Sequence, residues 1–433
     1  MLGLVLTAGG ARGAYQAGVL RRIGEIPSLA RGSLPFPIVA GASAGAINGS
    51  LLAARAARFG AASREIAGVW SALRVEQVFR SDLLAMARTG VSLAFDFTVG
   101  GLLGHTRTRG LLDTSPLERL LEGVFPPRGI AGAIRRGDLY AVAVTATSYH
   151  SGRSFTFVQG RPGHPVWVKS RRLVLPVRLT HRHVMASSSI PVVFPAVRVV
   201  SQAGDLWFGD GGLRLVTPLS PAIRLGATHL LAVGVRSSRA ADALAREEVG
   251  SAAGGDDAAP VLPSPPLAQI LGAFMNAIFL DHLDADLDHL RRMNELVKAG
   301  LAAAPLREEG APGEPMRVVE PLSIAPSEDL ALVAQRYANR MPRVVRALLA
   351  GLGTPDAQSA DLMSYLLFDA AYTRELVEIG YRDADARAAE IEDWVRSAPP
   401  LDARATPRDA AAGRTRGKAG TPPHLRAAAL GAG

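Results

Sequence analysis

A serine with a glycine two positions away on each side is the first candidate for catalysis in this sequence. It lies in the segment Gly41-Ala42-Ser43-Ala44-Gly45. This G-x-S-x-G pattern is typical of a nucleophile elbow, a sharp and strained turn from a strand into a helix. In a chain with 45 glycines, chance alone gives roughly 0.3 such matches. The pattern therefore indicates a nucleophile only if a strand precedes it and a helix comes after it.

A second glycine-rich segment, with the sequence AGGARG, covers residues 8–13. Such a loop can direct several main-chain N–H groups at one point, as an oxyanion hole or a phosphate cradle requires. Its first position is Ala8 where a dinucleotide fingerprint has glycine, and no Gly-Lys-Ser/Thr is present as in a P-loop. The segment therefore predicts an anion-binding loop but not a nucleotide site.

The third candidate is Asp210, which is followed by Gly211 and Gly212. A short apolar strand, residues 206–208, precedes it, so the carboxylate lies at a strand end beside two residues without side chains. Taken alone, the segment has the composition of an ordinary Asp-Gly turn. It becomes a candidate general base only in combination with Ser43.

The elements around these residues indicate an α/β fold. Residues 2–7 and 36–40 are apolar runs that each lead through a glycine turn into a helix pattern. Two successive strand–turn–helix units predict a parallel sheet with right-handed crossovers. Further strands are predicted at residues 138–147, 227–236 and 317–324, a hairpin at 155–158 and 166–168, and a long helix from 271 to 297.

Composition narrows the function classes. The chain has 433 residues, a net charge of +9 and no cysteine, which excludes disulfides, thiolate zinc sites and a cysteine nucleophile. Basic residues are not interleaved with aromatic ones, so no nucleic-acid partner is predicted. The aspartates at 281, 284, 286 and 288 lie on the predicted helix and lack the loop of a calcium site. We predict no metal and no cofactor.

The sequence predicts no transmembrane helix, because no stretch of 18 uncharged apolar residues occurs. The apolar run at the N-terminus is too short for a signal peptide. We therefore expect a cytoplasmic protein whose only membrane contact is peripheral, at the inner membrane surface. Residues 91–103, which are apolar and contain glycine, are a candidate mobile flap or interfacial surface over the site around Ser43, with core packing as the alternative.

In this order, the loop, the serine pentapeptide and the Asp-Gly-Gly segment resemble the patatin-like phospholipase family. Residues 6–20 are similar to the opening segment of that family, and residues 186–195 (ASSSIPVVFP) to its Ser/Pro segment between nucleophile and base. Residues 217–223 resemble the family's segment on the C-terminal side of the aspartate. Residues 270–297, 364–369 and 380–384 resemble a C-terminal extension of a bacterial branch of the family.

The resemblance implies a patatin-like three-layer α/β fold with a mostly parallel central sheet and a mainly helical C-terminal extension. It implies a catalytic domain at 1–236 and the extension at 267–396. Between them, the Ala/Gly/Pro/Asp-rich residues 237–266 lose periodicity and indicate a flexible linker or loop, and the polar, Pro/Ala/Arg-rich residues 397–433 indicate a disordered tail. Residues 41, 42, 44 and 45 would form the nucleophile elbow, and residues 211 and 212 the base motif.

The resemblance also implies the chemistry. Ser43 attacks a lipid ester and Asp210 takes its proton, in a dyad without histidine that forms an acyl-enzyme. The oxyanion hole would comprise Gly9, Gly10, Ala11 and Arg12, and Arg12 would orient the loop or meet a headgroup phosphate. The expected activity is that of a phospholipase A, lysophospholipase or esterase acting on a lipid ester substrate. The oligomeric state is not predicted.

Two departures keep alternatives open. The glycine triplet of the family begins with Ala8 here, which would strain the loop if its φ were positive, so a non-catalytic lipid-binding or scaffold protein on the same fold is an alternative. Leu215, Val216 and Thr217 stand where the family often has asparagine. A Ser-Asp-His triad esterase is the other alternative, with histidines 229, 282 and 289 as candidates, although we interpret all three as structural or solvent-facing.

Overall fold

The computed structural model describes residues 1–80, 110–126, 128–169, 172–201, 204–215, 218–237, 282–300, 316–342, 345–346 and 360–399, with single positions at 270, 273 and 277. The candidate flap at 91–103 lies outside these residues. So do Val216 and Thr217, nearly all of the predicted linker at 237–266, and the tail from residue 400.

Ten strands of the described residues form one sheet. In chain order they are β1 (Leu2–Leu6), β2 (Ile38–Ala42), β3 (Ala141–Ser148), β4 (Ser154–Gly160), β5 (Val168–Lys169), β6 (Arg172–Pro176), β7 (Val197–Ser201), β8 (Gly204–Gly209), β9 (His229–Val233) and β10 (Glu320–Ile324). The spatial order is β10–β9–β1–β2–β3–β4–β6–β5, and β8 pairs with β3 and β7.

The five strands from β10 to β3 are parallel to one another. β1, β2 and β3 are buried along their whole length, as their continuous apolar and small residues require of strands covered on both faces. Leu6 at the end of β1 is paired with Gly41 near the end of β2. The two glycine-rich turns therefore leave the sheet side by side, at the edge where ligands bind in open α/β sheets.

Helices cover both faces of the sheet. In chain order they are α1 (Gly13–Ile23), α2 (Ala44–Ala54), α3 (Phe59–Ser71), α4 (Ser115–Val124), α5 (Gly129–Arg136), α6 (His181–Ser187), α7 (Ser220–Arg224), α8 (His282–Lys298), α9 (Leu330–Gln335), α10 (Ala360–Leu366), α11 (Ala370–Asp385) and α12 (Ala388–Ser397). One apolar core lies on the face carrying α1, α2 and α11, and a second on the face carrying α7 and α8.

The residues after 316 pack against the beginning of the chain. β10 extends the sheet beside β9, and α11 lies along α1. The two helices approach closely at a pair of glycines: a Cβ on Gly18 would lie 1.9 Å from the Val377 carbonyl oxygen, and one on Gly380 2.1 Å from the Tyr15 carbonyl oxygen. Any larger residue would force the helices apart, so both glycines are needed for this contact.

The predicted three-layer α/β fold with a mostly parallel sheet and a mainly helical C-terminal region is confirmed. The predicted hairpin of residues 155–158 with 166–168 is wrong. β4 pairs with β3 on one side and, in parallel, with β6 on the other, and β5 pairs only with β6. The chain must therefore cross over between β4 and β6, and the short β5 lies at the edge of the sheet.

Candidate active site

Ser43 occupies a strained turn between β2 and α2. Its dihedral angles are φ 55° and ψ −126°, in a region that side chains rarely adopt, which typically costs about 1–3 kcal/mol. The flanking glycines explain how the turn fits. A Cβ on Gly41 would lie 2.3 Å from the Gly45 carbonyl oxygen, and one on Gly45 would lie 2.1 Å from the Leu6 carbonyl oxygen. The pentapeptide therefore has the geometry of a nucleophile elbow, with the serine at the start of a helix.

Two serines at the end of α6 hold the main chain of Ser43. The Ser43 N–H donates to Ser187 Oγ over 3.0 Å, and the Ser188 hydroxyl donates to the Ser43 carbonyl oxygen over 3.1 Å. Ser187 in turn donates to the Thr145 carbonyl oxygen on β3. The next residue, Ser189, accepts a hydrogen bond from the Asp210 N–H. These contacts from one segment fix the strained turn and the backbone of the candidate base together.

Asp210 lies at the end of β8 and is completely buried. Its Oδ1 accepts the Gly212 N–H over 2.8 Å, and the Thr147 hydroxyl donates to its main-chain oxygen. Gly211 must lack a side chain, because a Cβ there would lie 2.0 Å from the Thr145 carbonyl oxygen. The two glycines after the aspartate are therefore needed for this turn.

Burial raises the pKa of Asp210 to about 7, even though interactions with the Ser43 side chain and the Gly212 N–H favour the ionised form. The second carboxylate oxygen, Oδ2, makes no hydrogen bond with any described residue. The interaction with the Ser43 side chain that lowers this pKa places the Ser43 hydroxyl beside the carboxylate. A carboxylate with a pKa near 7 is matched to accept a proton at neutral pH.

The glycine-rich loop after β1 turns into α1 beside the elbow. Gly10 has φ +55°, whereas Ser43 and Val192 are the described non-glycine residues with positive φ. Ala8 therefore adopts an ordinary conformation, and alanine at this position costs little. The Arg12 N–H donates to the Gly9 carbonyl oxygen over 3.0 Å. Among the four predicted oxyanion donors, this leaves the N–H groups of Gly9, Gly10 and Ala11 as candidates.

The Arg12 side chain does not extend toward the serine. It is 2% exposed, donates from Nε to Ser364 Oγ over 2.7 Å, and forms an ion pair with Asp361 over 3.0 Å. Its guanidinium also lies over the ring of Tyr365, 4.7 Å from the centroid. All three partners belong to α10, so the expected contact of Arg12 with a headgroup phosphate is not what this geometry favours.

An apolar cavity opens at Ser43. Its empty volume is about 660 Å³, including the opening to solvent. Gly10, Ser43 and Ser188 form the polar end. The rest of the wall is apolar. It comes from α2, α3 and the segment after it, α4, the segment after α6 and the segment after α10: Ala44, Ile47, Leu51, Ile66, Val69, Trp70, Leu73, Val78, Leu117, Leu120, Leu121, Val124, Ile190, Phe194 and Phe368. Such a wall suits a hydrocarbon chain.

A buried polar network connects this wall to the glycine-rich loop. The Trp70 indole donates to Asn48 Oδ1 over 2.7 Å, and Asn48 donates to the Gly13 carbonyl oxygen and to Gln16. Gln16 donates onward to the Thr7 carbonyl oxygen over 2.9 Å. Satisfied buried networks of this kind rigidify the groups that they join, so the loop and the first turns of α1 and α2 are fixed relative to each other.

The histidines do not complete a triad in the described residues. His229 begins β9 and is paired with Leu2, whereas Ser43 lies beyond the opposite ends of the strands. His183 bonds to Thr180 and packs on Phe157, and burial lowers its pKa to about 4. No group of three His, Asp or Glu residues that could hold a metal occurs in the described part of the chain. Within the same residues, no helix has the length and apolar character needed to cross a bilayer.

The structure places Gly10 and Ser43 in the wall of one cavity, and the carboxyl of Asp210 interacts with the Ser43 side chain behind it. Sequence reasoning did not assign roles to Ser187 and Ser188, which bind the main chain of Ser43. The signal for them was present, because they lie in the segment 186–195 that resembles the family's Ser/Pro segment. Sequence reasoning also did not identify α10 as the partner of Arg12, although residues 364–369 resemble part of the family's C-terminal extension.

Comparison with known proteins agrees with this geometry. Residues 4–223 match the family model described as patatin-like phospholipase. No curated protein matches the chain.

Among solved structures, VipD from Legionella pneumophila is 13% identical with a TM-score of 0.29, covering 87% of this chain and 66% of that one. Human GIVD cytosolic phospholipase A2, in complex with an inhibitor, is 14% identical with a TM-score of 0.39, covering 92% and 59%. This chain therefore spans only about two thirds or less of the length of these two. Similarity at this level does not define an activity.

Proposed function

The chain belongs to the patatin-like phospholipase family, and we propose that it is a serine acyl hydrolase that cleaves lipid carboxylic esters through a dyad of Ser43 and Asp210. Family membership supports lipid acyl hydrolase activity. The observation that carries the finer proposal is the meeting of three features: a serine held in a strained elbow, a buried carboxylate with a pKa of about 7 beside it, and an apolar cavity opening at the serine.

The proposed reaction begins when Ser43 Oγ attacks the ester carbonyl carbon and its proton passes to the Asp210 carboxylate. The N–H groups of Gly9, Gly10 and Ala11 stabilise the negative oxygen of the tetrahedral intermediate. When the intermediate collapses, the bond to the alcohol breaks and the alcohol takes the proton from Asp210. Water then attacks the acyl-enzyme, again with Asp210 as base, and the fatty acid leaves as Ser43 recovers its proton.

The acyl chain of the substrate lies in the cavity in this proposal, with its carbonyl at Ser43 and its tail among the apolar residues of α3 and α4. Burying a CH₂ group is worth about 0.8 kcal/mol, so each added carbon that enters the cavity favours binding of the transition state. Phospholipids and lysophospholipids fit this requirement equally, because both carry a long acyl chain on an ester.

Two other functions are distinguished by particular residues. A Ser-Asp-His triad esterase would need a histidine beside Asp210. The pKa of Asp210 is set by burial, Ser43 and Gly212, and no described histidine is among these influences. A non-catalytic lipid-binding protein was suggested by Ala8, whose ordinary φ leaves the loop unstrained. Both observations favour the dyad enzyme.

The test compares hydrolysis of p-nitrophenyl laurate and labelling by an alkyl fluorophosphonate in the wild type, Ser43→Ala and Asp210→Asn. Matched controls are Ser151→Ala and Asp205→Asn, which change an exposed serine and an exposed aspartate away from the cavity. We expect the site variants to lose at least 1,000-fold in kcat, consistent with the magnitude for catalytic dyads and triads, and the controls to keep wild-type rates.

A wild-type protein that neither hydrolyses esters nor takes the label would refute the hydrolase. Retention of activity by Asp210→Asn together with its loss in His229→Ala would replace the dyad with a triad. Vesicles of phosphatidylcholine and of lysophosphatidylcholine, compared at equal acyl chain length, then separate the two lipid classes.

A further inference from the structure

Arg12, two residues after the candidate oxyanion donor Gly10, is turned away from the cavity and into the C-terminal part of the chain. Its guanidinium binds Ser364 Oγ through Nε and Asp361 Oδ1 through a terminal nitrogen. The side chain is nearly fully buried, whereas Asp361 is 44% exposed. A buried arginine that lost these partners would be left with unpaired donors, a costly state, so the ion pair constrains the position of the loop.

The same helix touches the loop at a second point. A Cβ on Gly10 would lie 2.5 Å from the main-chain oxygen of Tyr365. The backbone of α10 therefore stands directly against the residue whose N–H is a candidate oxyanion donor. The ring of Tyr365 also stacks on Arg12. The loop is therefore held at Gly10 by main-chain contact and at Arg12 by side-chain contacts.

The helix that holds the loop is itself fixed. The Ser364 hydroxyl donates to the Asp361 carbonyl oxygen, and the main-chain oxygen of Ser364 accepts the Tyr372 hydroxyl over 3.4 Å. Tyr372 is fully buried on α11, and α11 packs on α1 through Gly18 and Gly380. α10 is therefore a firm support for the loop and not a peripheral attachment.

From these contacts we infer that α10 positions the oxyanion donors through Arg12, and that Asp361 and Ser364 are positioning residues for ester hydrolysis. This inference rests on the proposed function. Oxyanion donors must lie 2.7–3.1 Å from the developing charge, and losing one typically costs about 100- to 1,000-fold in kcat. A partial displacement of Gly10 and Ala11 costs less. In the proposed function the acyl tail lies among the apolar residues of α3 and α4, so its binding should change less than kcat.

The experiment measures kcat and KM for p-nitrophenyl laurate in Asp361→Asn, Ser364→Ala and the conservative Asp361→Glu. It adds the inhibition constant of an alkyl trifluoromethyl ketone, which forms a tetrahedral adduct with the serine, and the affinity for lauric acid, which does not. The control is Asp385→Asn, which removes the ion pair of Asp385 with Arg22 between α11 and α1, away from the loop.

We expect Asp361→Asn and Ser364→Ala to lower kcat about 10- to 100-fold and to weaken the ketone by a similar factor. KM and lauric acid affinity should change little. The melting temperature should fall moderately, because Arg12 keeps buried donors without partners, so kcat is compared at a temperature where every variant is folded. Asp361→Glu should recover most of the rate, and Asp385→Asn should match the wild type. The inference is overturned if both variants keep wild-type kcat, or if Asp385→Asn loses as much.

Equal losses of ketone and lauric acid affinity would also overturn it, since they would indicate general disruption. If one variant does not fold, the other gives the same comparison, because Ser364→Ala removes the hydrogen bond to Arg12 Nε and Asp361→Asn removes the charge of the ion pair. An inactive, unlabelled wild type would instead refute the proposed function, and this inference with it.

Discussion

Replacing Asp210 by asparagine tests the environment of the candidate base and its chemistry in one variant. Asparagine has the size of aspartate and keeps an oxygen for the Gly212 N–H, so the turn after β8 is preserved. It removes a carboxyl that is completely buried and has a pKa of about 7, compared with 3.8 for an ordinary aspartate. Activity should be lost, but stability should increase.

The sign of the stability change follows from the linkage between proton binding and folding. Below about pH 4 the carboxyl is protonated in both the folded and the unfolded protein, and its contribution to stability is fully present. Between about pH 4 and pH 7 only the unfolded chain ionises, so the wild type loses stability as the pH rises. Above pH 7 the folded protein ionises too, and the loss levels off. A difference of about three pKa units amounts to about 4 kcal/mol.

The measurement is urea unfolding of the wild type and Asp210→Asn, followed by circular dichroism at pH 5, 6, 7 and 8, with Asp205→Asn as control. We expect the stability advantage of Asp210→Asn to grow from about 2 kcal/mol at pH 5 to about 4 kcal/mol at pH 8. In parallel, kcat/KM of the wild type should rise with pH around a midpoint near 7, because only the ionised carboxylate can accept the serine proton.

Two results would refute this reasoning. One is a stability difference between the proteins that does not change from pH 5 to pH 8, or that favours the wild type at pH 8. The other is an activity midpoint near pH 4, which would mean that the carboxylate of Asp210 is well solvated in the folded enzyme.

Three further predictions concern the support of the nucleophile, the cavity and the helix contact. Ser187→Ala removes the acceptor of the buried Ser43 N–H, so it should lower the free energy of unfolding by about 1–3 kcal/mol, measured by urea unfolding. It should also lower kcat in ester assays. An unchanged kcat would contradict the role of this bond. Leu121→Trp should fill part of the cavity and reduce kcat/KM for p-nitrophenyl laurate at least 10-fold, since each excluded methylene costs about 1 kcal/mol. The kcat/KM for p-nitrophenyl acetate should stay within about 3-fold of the wild-type value. Equal effects on both esters would show that the acyl chain lies elsewhere. Gly380→Ala should destabilise the protein by about 3 kcal/mol through overpacking of α11 on α1, whereas Gly68→Ala, at an exposed helix position with open space around it, should stabilise it slightly in the same thermal melts.

The local features of the site were predictable because the sequence that forms them is local. Ser43 follows an apolar strand and precedes a helix-forming run, and the glycines at 41 and 45 are required by contacts within that turn and with the neighbouring strand. The boundaries were less accurate. The second strand was predicted at residues 36–40 but spans Ile38–Ala42, because Pro37 has no N–H to donate to the sheet.

Features that depend on distant residues could not be predicted in the same way. The bond from the Ser43 N–H to Ser187 joins residues 144 positions apart, and no periodicity encodes it. The pKa of Asp210 depends on how completely other elements cover it. The partner of β4 was predicted wrongly because alternating apolar residues indicate a strand but do not specify which strand lies beside it.

Because α11 packs on α1, the two ends of the described fold can join only after the C-terminal helices have been translated. Ser43, Asp210 and β9 are all translated before β10, α10 and α11, so at that stage β9 has an unpaired edge where β10 will lie. At about 5–20 residues per second, the stretch from residue 210 to residue 380 takes roughly 10 to 30 seconds to translate. During that interval the nascent chain carries the candidate nucleophile and the candidate base without the helices that hold the loop. If the proposed hydrolase is correct, we expect esterase activity to appear only after the C-terminal helices emerge, so that the protein is inactive during the earlier part of its translation.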